Sequence, residues 1–306
     1  MENSILNDFK NAWGKPENAT IQLIIINVSI FAILRISGVF FFFSGAEGLV
    51  DTVIDFLGVP ASFQKLIFKP WTVVTYMFTH YSFFHILFNM LLLYWFGKII
   101  QEYLGSKKLV GIYVWGGFFG AFLYILLYNL LPNFSNQIPS STLIGASAGV
   151  TALIVAAAFN TPNFTIYMFL FGPVKLKYFA AVSVFLSFIG TTGNNAGGEI
   201  AHLGGAVLGW FFISQNKHGN DLSIPVTNSI EWIRSLFVPS PKIKVSHRSK
   251  EKNDDKGNVK IKTGRKPKTG IVPQEEIDEI LDKISQSGYD SLTKSEKQKL
   301  FEASKK

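Results

Sequence analysis

Apolar runs long enough to approach the width of a bilayer recur six times along this chain, and they set its architecture. A bilayer core takes about 20 apolar residues per helix, within a range of roughly 17–25. The runs lie near residues 21–42, 76–100, 109–130, 143–159, 178–190 and 200–214. Arg35 interrupts the first, and the apolar stretch Ile166–Phe171 extends the fifth upstream. The last three are short and rich in Gly, Ala and Ser, the composition of helices that pack on other helices rather than face lipid. The pattern predicts an all-α membrane protein: a six-helix transmembrane bundle over residues 21–216, preceded by a polar segment, 1–20.

After Lys217 the pattern changes. Residues 217–272 are basic, with scattered Pro, Gly and Asn, and read as a flexible linker. From Pro273 a helical spacing returns in Ile277, Ile280, Leu281 and Ile284. Gly288 is a stop signal, and Thr293 with Glu296 forms a capping box for another helix. Residues 273–306 are therefore expected to form a small two-helix module in a soluble C-terminal tail. Residues 43–75 make a loop too long to lack structure of its own, and part of it is expected in the membrane interface.

Charge refines this picture. Charged residues are 16% of the chain, against about 25% in soluble domains. None between Tyr103 and Gly198 is acidic. The net charge of +8 comes mostly from the tail. Beside membrane spans, a basic tail suits a cytoplasmic segment near anionic lipid, and no nucleic-acid partner is expected. Lys98, Lys107 and Lys108 lie between spans two and three, and Lys175 and Lys177 between spans four and five. This asymmetry predicts an integral, multi-pass membrane protein with both termini cytoplasmic. The first twenty residues do not read as a cleaved signal peptide, so the first span is expected to act as its own insertion signal. Absence of Cys excludes a thiol nucleophile, a disulfide or a thiolate metal site, and no metal or cofactor is expected.

Three histidines, His80, His85 and His202, fall in or at the spans, where an ionisable side chain is costly and marks function by default. With the N-terminus inside, spans two, four and six begin at the outer face, which brings His85, Ser147 and His202 to similar depth. Ser147 sits in Gly145-Ala146-Ser147-Ala148-Gly149 at a helix start, where small residues leave room for a substrate backbone and unpaired N–H groups suit an oxyanion. By itself that string is more often plain helix packing. His202 precedes Gly205 and Gly209, a small-residue face that permits backbone contact with another helix. Such contact would set an imidazole base beside a serine nucleophile. His85 and Asn89, four apart, share a helix face and offer two hydrogen-bond donors, for an oxyanion or for an interhelical clamp.

Together, Tyr76-Met77-Phe78-Thr79-His80-Tyr81-Ser82-Phe83-Phe84-His85-Ile86-Leu87-Phe88-Asn89-Met90, Gly145-Ala146-Ser147 and Ala201-His202-Leu203-Gly204-Gly205 resemble the rhomboid intramembrane serine proteases. Each motif is weak, but the ordered set over spans two to six is specific, and it extends to Gly97 and Glu102-Tyr103-Leu104-Gly105. The resemblance implies a rhomboid-like six-helix bundle in a bacterial cell membrane, with a water-filled cavity open to the outside. It implies Ser147 as nucleophile, His202 as base, and His85, Asn89 and the Ser147 N–H as oxyanion donors. The family pattern is a dyad without a carboxylate. Glu199, three residues before His202, is read as a loop-end residue more than as a support for the ring. The substrates would be single-span membrane proteins, acted on within the lipid bilayer, and the partner of the tail is left open.

There are two departures. Many members have Trp-Arg where this chain has Trp71-Thr72, which is expected to loosen the loop. Some have an aromatic residue where Thr151 stands, which is expected to leave the imidazole less well held. A non-proteolytic rhomboid-like protein that binds client helices is the alternative, though such relatives usually lack the serine or the histidine. An unrelated transporter is disfavoured by the absence of an internal repeat.

Overall fold

The protein was analysed as a computed structural model, which describes residues 13–15, 17–168, 172–237 and 274–303. Two units are present, residues 1–241 and 242–306.

In the first unit, six helices form a bundle: α1 (Ala19–Phe43), α5 (Phe83–Leu104), α6 (Ser106–Leu130), α7 (Ser147–Asn160), α8 (Leu176–Gly190) and α9 (Ala196–Lys217). Between α1 and α5 lie three short helices, α2 (Gly48–Leu57), α3 (Phe63–Phe68) and α4 (Thr72–Thr75). By length and composition, α1, α5, α6 and α9 are long and apolar enough to cross a membrane, while α7 and α8 are shorter apolar helices. The exposed positions around the perimeter are themselves apolar, among them Phe84 and Phe88 on α5 and Phe185 and Phe188 on α8. In water such a surface would be a liability, whereas in lipid it is the ordinary one. The chain is a multi-pass, all-α membrane protein.

The centre of the bundle is α7. Eleven of its successive positions, Ala148–Ala158, are buried, so it meets protein on every side. Glycines bring α6 and α9 against it. A Cβ on Gly205 would stand 2.1 Å from the Ala148 carbonyl oxygen, and one on Gly209 would stand 2.3 Å from that of Ala152. From α6, Gly116 and Gly120 meet the Ala152 and Ala148 methyl groups at 2.4 and 2.6 Å by the same measure. No larger residue fits at these points without a backbone shift. Lipid tails supply no hydrophobic drive between helices, so contact of this closeness is what holds them together.

Polar groups pin α1 to the rest. The Thr20 hydroxyl donates to Gln101 Oε1 at 3.0 Å, and Asn27 Nδ2 donates to the Tyr113 hydroxyl at 3.3 Å. Gly105 is the single residue between α5 and α6, and its φ of 85° makes that reversal possible.

The loop before α5 is well tied. A strand pair, β1 (Val59–Pro60) with β2 (Thr142–Leu143), joins it to the segment leading into α7. Trp71 Nε1 donates to the Phe56 carbonyl at 2.9 Å, Thr72 is fully buried with its hydroxyl on the Lys69 carbonyl, and Lys69 pairs with Asp55. Thr72 is thus satisfied locally, and a buried threonine of that kind needs no cationic partner.

Two segments differ from the sequence pattern. Residues Thr165–Met168 and Gly172–Lys175 form an antiparallel hairpin, β3–β4, rather than an upstream extension of the fifth span. Residues 169–171 of that stretch lie outside the described residues. Within the stretch read as linker, α10 (Ile224–Phe237) is helical. The turn just before it is tied to α6 by Trp115 Nε1, which donates to the Leu222 carbonyl at 2.9 Å. Trp232, Ile233, Leu236 and Phe237 are left exposed, a face suited to the membrane interface. The remainder of that stretch, residues 238–272, lies outside the described residues.

The second unit contains α11 (Gln274–Ser287) and α12 (Lys294–Ala303). Gly288, at φ 79°, follows α11. The capping box is reciprocal: the Thr293 N–H donates to Glu296 Oε2 at 2.7 Å, and the Glu296 N–H to Thr293 Oγ1 at 3.3 Å. Lys283 on α11 pairs with Glu296 and Lys299 on α12 with Glu276, so ion pairs cross-link the two helices.

Two outcomes are expected. Gly205→Val should lower bundle stability by at least about 2 kcal/mol through overpacking, read by thermal unfolding in detergent, with exposed Val207→Ala unchanged. In the tail, the Thr293 N–H and then Lys283 hold the Glu296 carboxyl down at about 2. A depressed carboxyl adds stability above its ordinary pKa and loses it as the pH falls towards the folded value. The α11–α12 pairing should thus weaken between about pH 4.5 and about pH 2, followed by the carboxyl carbon resonance of Glu296 in the full-length chain.

Candidate active site

The site lies at the bundle end where α5, α7 and α9 begin. Its backbone is set by the approach to α7. The Gly145 N–H donates to the Tyr76 carbonyl at 2.9 Å, and the Ala146 N–H donates to His80 Nε2 at 3.3 Å. Gly145 has a φ of 120°, which an L side chain rarely adopts. Ser147 is the first residue of α7, so its own N–H and the next ones have no partner within the helix.

The space beside Ser147 is kept open by the missing side chain of Gly145. A Cβ there would stand 2.8 Å from His85 Nε2 and 3.8 Å from Ser147 Oγ. His85 and the serine hydroxyl thus border one gap. Asn89 is buried one turn below His85, and one of its amide hydrogens is spent on the His85 carbonyl at 2.9 Å. Its other hydrogen is free for a further acceptor.

His202 enters from α9. Gly205, three residues on, lies against Ala148, the neighbour of Ser147, so the two helices touch backbone to backbone at the level of both side chains. Among the described residues no hydrogen bond joins Ser147 Oγ to His202. The ring is held instead on its Nδ1 side, by Glu199 Oε2 at 3.0 Å and Ser187 Oγ at 3.2 Å. Glu199 is not simply a loop-end residue: it lies in the first turn of α9 and turns its carboxylate onto the ring. Thr151, one turn beyond Ser147, donates to the Ser147 carbonyl at 2.8 Å.

A polar cavity of about 540 Å³ adjoins the site, lined by His85, Tyr124, Ser141, Asn194 and Asn195 among others. Its polar walls suit water at a position otherwise surrounded by apolar helices. Among the described residues no group of His and carboxylates is arranged to hold a metal.

Sequence reasoning brought Ser147, His202, His85, Asn89, Gly145, Gly205 and Gly209 forward, and all seven line this region or the helix contact beneath it. It assigns no role to two supports, His80 and Ser187, and ranks a third, Glu199, as a loop-end residue. His80 was noticed only as an intramembrane histidine, yet it fixes the Ala146 amide. Glu199 was visible three residues before His202. Ser187 carried no signal, since a serine in an apolar helix is unremarkable until its neighbour is known.

Residues 68–214 match the rhomboid domain family. Residues 271–306 match a family of unknown function, DUF6576. The chain is 30% identical over 146 residues to RHOMBOID-like protein 12, mitochondrial, of Arabidopsis thaliana, covering 45% of this chain and 44% of that one. It is 23% identical over 193 residues to Rhomboid protease GlpG of Pectobacterium atrosepticum, covering 62% of this chain and 59% of that one. It is 24% identical over 177 residues to Rhomboid protease GlpG of Haemophilus influenzae, covering 57% of this chain and 85% of that one. The chain thus spans about half the length of the first two relatives. Its ordered motifs, its helical bundle and this match place residues 68–214 of the chain in the rhomboid domain family.

Proposed function

We propose that this protein is an intramembrane serine endopeptidase that hydrolyses peptide bonds in or near transmembrane segments of other membrane proteins. The observation that carries the reading is the backbone contact of α9 with α7 at Gly205 and Ala148, which sets the helix bearing His202 beside the helix bearing Ser147. The names of two relatives, both rhomboid proteases, support it.

In the proposed reaction, Ser147 Oγ attacks the scissile carbonyl carbon as His202 Nε2 takes its proton. Such a hydrogen bond is often loose in an unliganded site and tightens when substrate arrives. The oxygen that becomes negative is received by His85, Asn89 and the Ser147 N–H, at a helix start where the dipole favours negative charge. The proton on His202 passes to the leaving amine as the C–N bond breaks. Water from the polar cavity then gives its proton to His202 and attacks the acyl-serine, and His202 passes that proton to Ser147 Oγ as the acyl C–O bond breaks, releasing the new carboxyl end and the free serine hydroxyl.

The same reading sets this end of the bundle outward and both termini in the cytoplasm. Lys98, Lys107, Lys108, Lys175, Lys177 and Lys217 gather at the helix ends opposite Ser147, which supports that orientation. Substrates would be transmembrane proteins, and the membrane a bacterial cell membrane.

Ser147→Ala and His202→Ala should each cut a single-span reporter at least about 10⁴-fold more slowly in proteoliposomes, with folding intact. A fluorophosphonate should label wild type and spare Ser147→Ala. Normal cleavage by Ser147→Ala would overturn the assignment, and failure to label wild type would favour a client-binding protein. Asn89→Ala should slow cleavage on the order of 10²–10³-fold, as expected for one oxyanion donor.

A further inference from the structure

The histidine of the proposed pair has a built support on its far side. Glu199 Oε2 lies 3.0 Å from His202 Nδ1, and Ser187 Oγ lies 3.2 Å from the same nitrogen. A carboxylate only accepts hydrogen bonds, so Nδ1 must carry the hydrogen. A neutral imidazole with its hydrogen on Nδ1 has its lone pair on Nε2, the form that can accept a proton from Ser147.

Three features show that this contact is more than a chance approach of two side chains. Glu199 is at i−3 from His202 and in the first turn of α9, where the helix dipole favours negative charge. Its carboxylate turns to the ring. Gly190 at the end of α8 leaves room for it, since a Cβ there would stand 2.7 Å from Glu199 Cγ and 3.0 Å from Cδ. Ser187 on α8, itself buried, lies within hydrogen-bonding reach of the ring. Among the described residues Glu199 makes its only ion-pair contact with His202.

We propose that Glu199, given room by Gly190, is a positioning residue that grips the ring together with Ser187 and turns the Ser147–His202 pair into a serine–histidine–glutamate relay. It fixes the ring's tautomer and orientation and offsets the positive charge that the imidazole takes on while it holds the serine proton. No proton passes to Glu199. The inference rests on the protease reading of Ser147 and His202. It departs from the carboxylate-free dyad that the family resemblance implies.

The test uses the full-length chain in proteoliposomes with a single-span reporter. The near-isosteric Glu199→Gln presents an amide that can also donate to Nδ1 and so favours the wrong tautomer. It should lower kcat at least about tenfold while KM stays within about twofold. The fall should be smaller than the roughly 10⁴-fold loss known when a buried triad aspartate is amidated, since Glu199 is partly exposed. Fluorophosphonate labelling of Ser147 should slow in parallel. Glu199→Asp should recover part of kcat, and Gly190→Ala, which crowds the carboxylate, should lose activity with Glu199 intact. Nitrogen-15 spectra of His202 should show the hydrogen on Nδ1 in wild type and a mixed or reversed tautomer in Glu199→Gln. A Glu199→Gln enzyme with kcat within twofold of wild type, or an unchanged tautomer, overturns the relay while leaving the protease reading intact. Loss of the protease reading is told apart by Ser147→Ala, which would then cut as wild type does.

Discussion

Close backbone contact between α7 and its neighbours is the constraint on which the rest of this membrane unit depends. Gly205 and Gly209 on α9, and Gly116 and Gly120 on α6, each meet α7 where even a methyl group would collide. The helices that carry Ser147 and His202 can approach only because those side chains are absent. In a bilayer there is no hydrophobic gain from joining two apolar helices, so dispersion contact at short range replaces it. Stability and chemistry therefore share the same residues.

A second constraint acts on the start of α7. The chain arrives through β2, is held by the Tyr76 carbonyl and His80, and bends at Gly145 before the helix begins at Ser147. The hydroxyl is thus delivered at a helix N-terminus next to an open gap bordered by His85. Under the proposed reaction, a preset donor geometry of this kind is worth more than flexibility, because donors that need not reorganise stabilise the transition state most. The surrounding loop contacts, from Trp71 to Phe56 and from β1 to β2, keep that segment from drifting.

The support of His202 illustrates how one function is met by different means. Where some members of the family resembled have an aromatic residue one turn after the serine, this chain has Thr151, whose hydroxyl is spent on the helix. The ring is instead gripped from α8 and from its own helix, through Ser187 and Glu199. A half-buried imidazole in an apolar bundle needs some such anchor, since an unpartnered polar ring there is both costly and free to turn.

Much of this protein was legible in its residues alone. Hydrophobic run length, which the bilayer imposes directly, marked all six bundle helices, and the Thr293–Glu296 spacing marked the start of α12 because capping is a local interaction. The ordered motifs singled out Ser147, His202, His85 and Asn89 as candidates for the site. The hairpin at 165–175 escaped, since a short apolar run reads alike as helix or strand until pairing decides. The helix at 224–237 was hidden by the basic, polar composition around it. Most of all, the partners of His202 depended on how α8 ends against α9. Ser187 and Gly190 are distant in sequence from His202 and Glu199, and only the packing of those two helices decided that they meet.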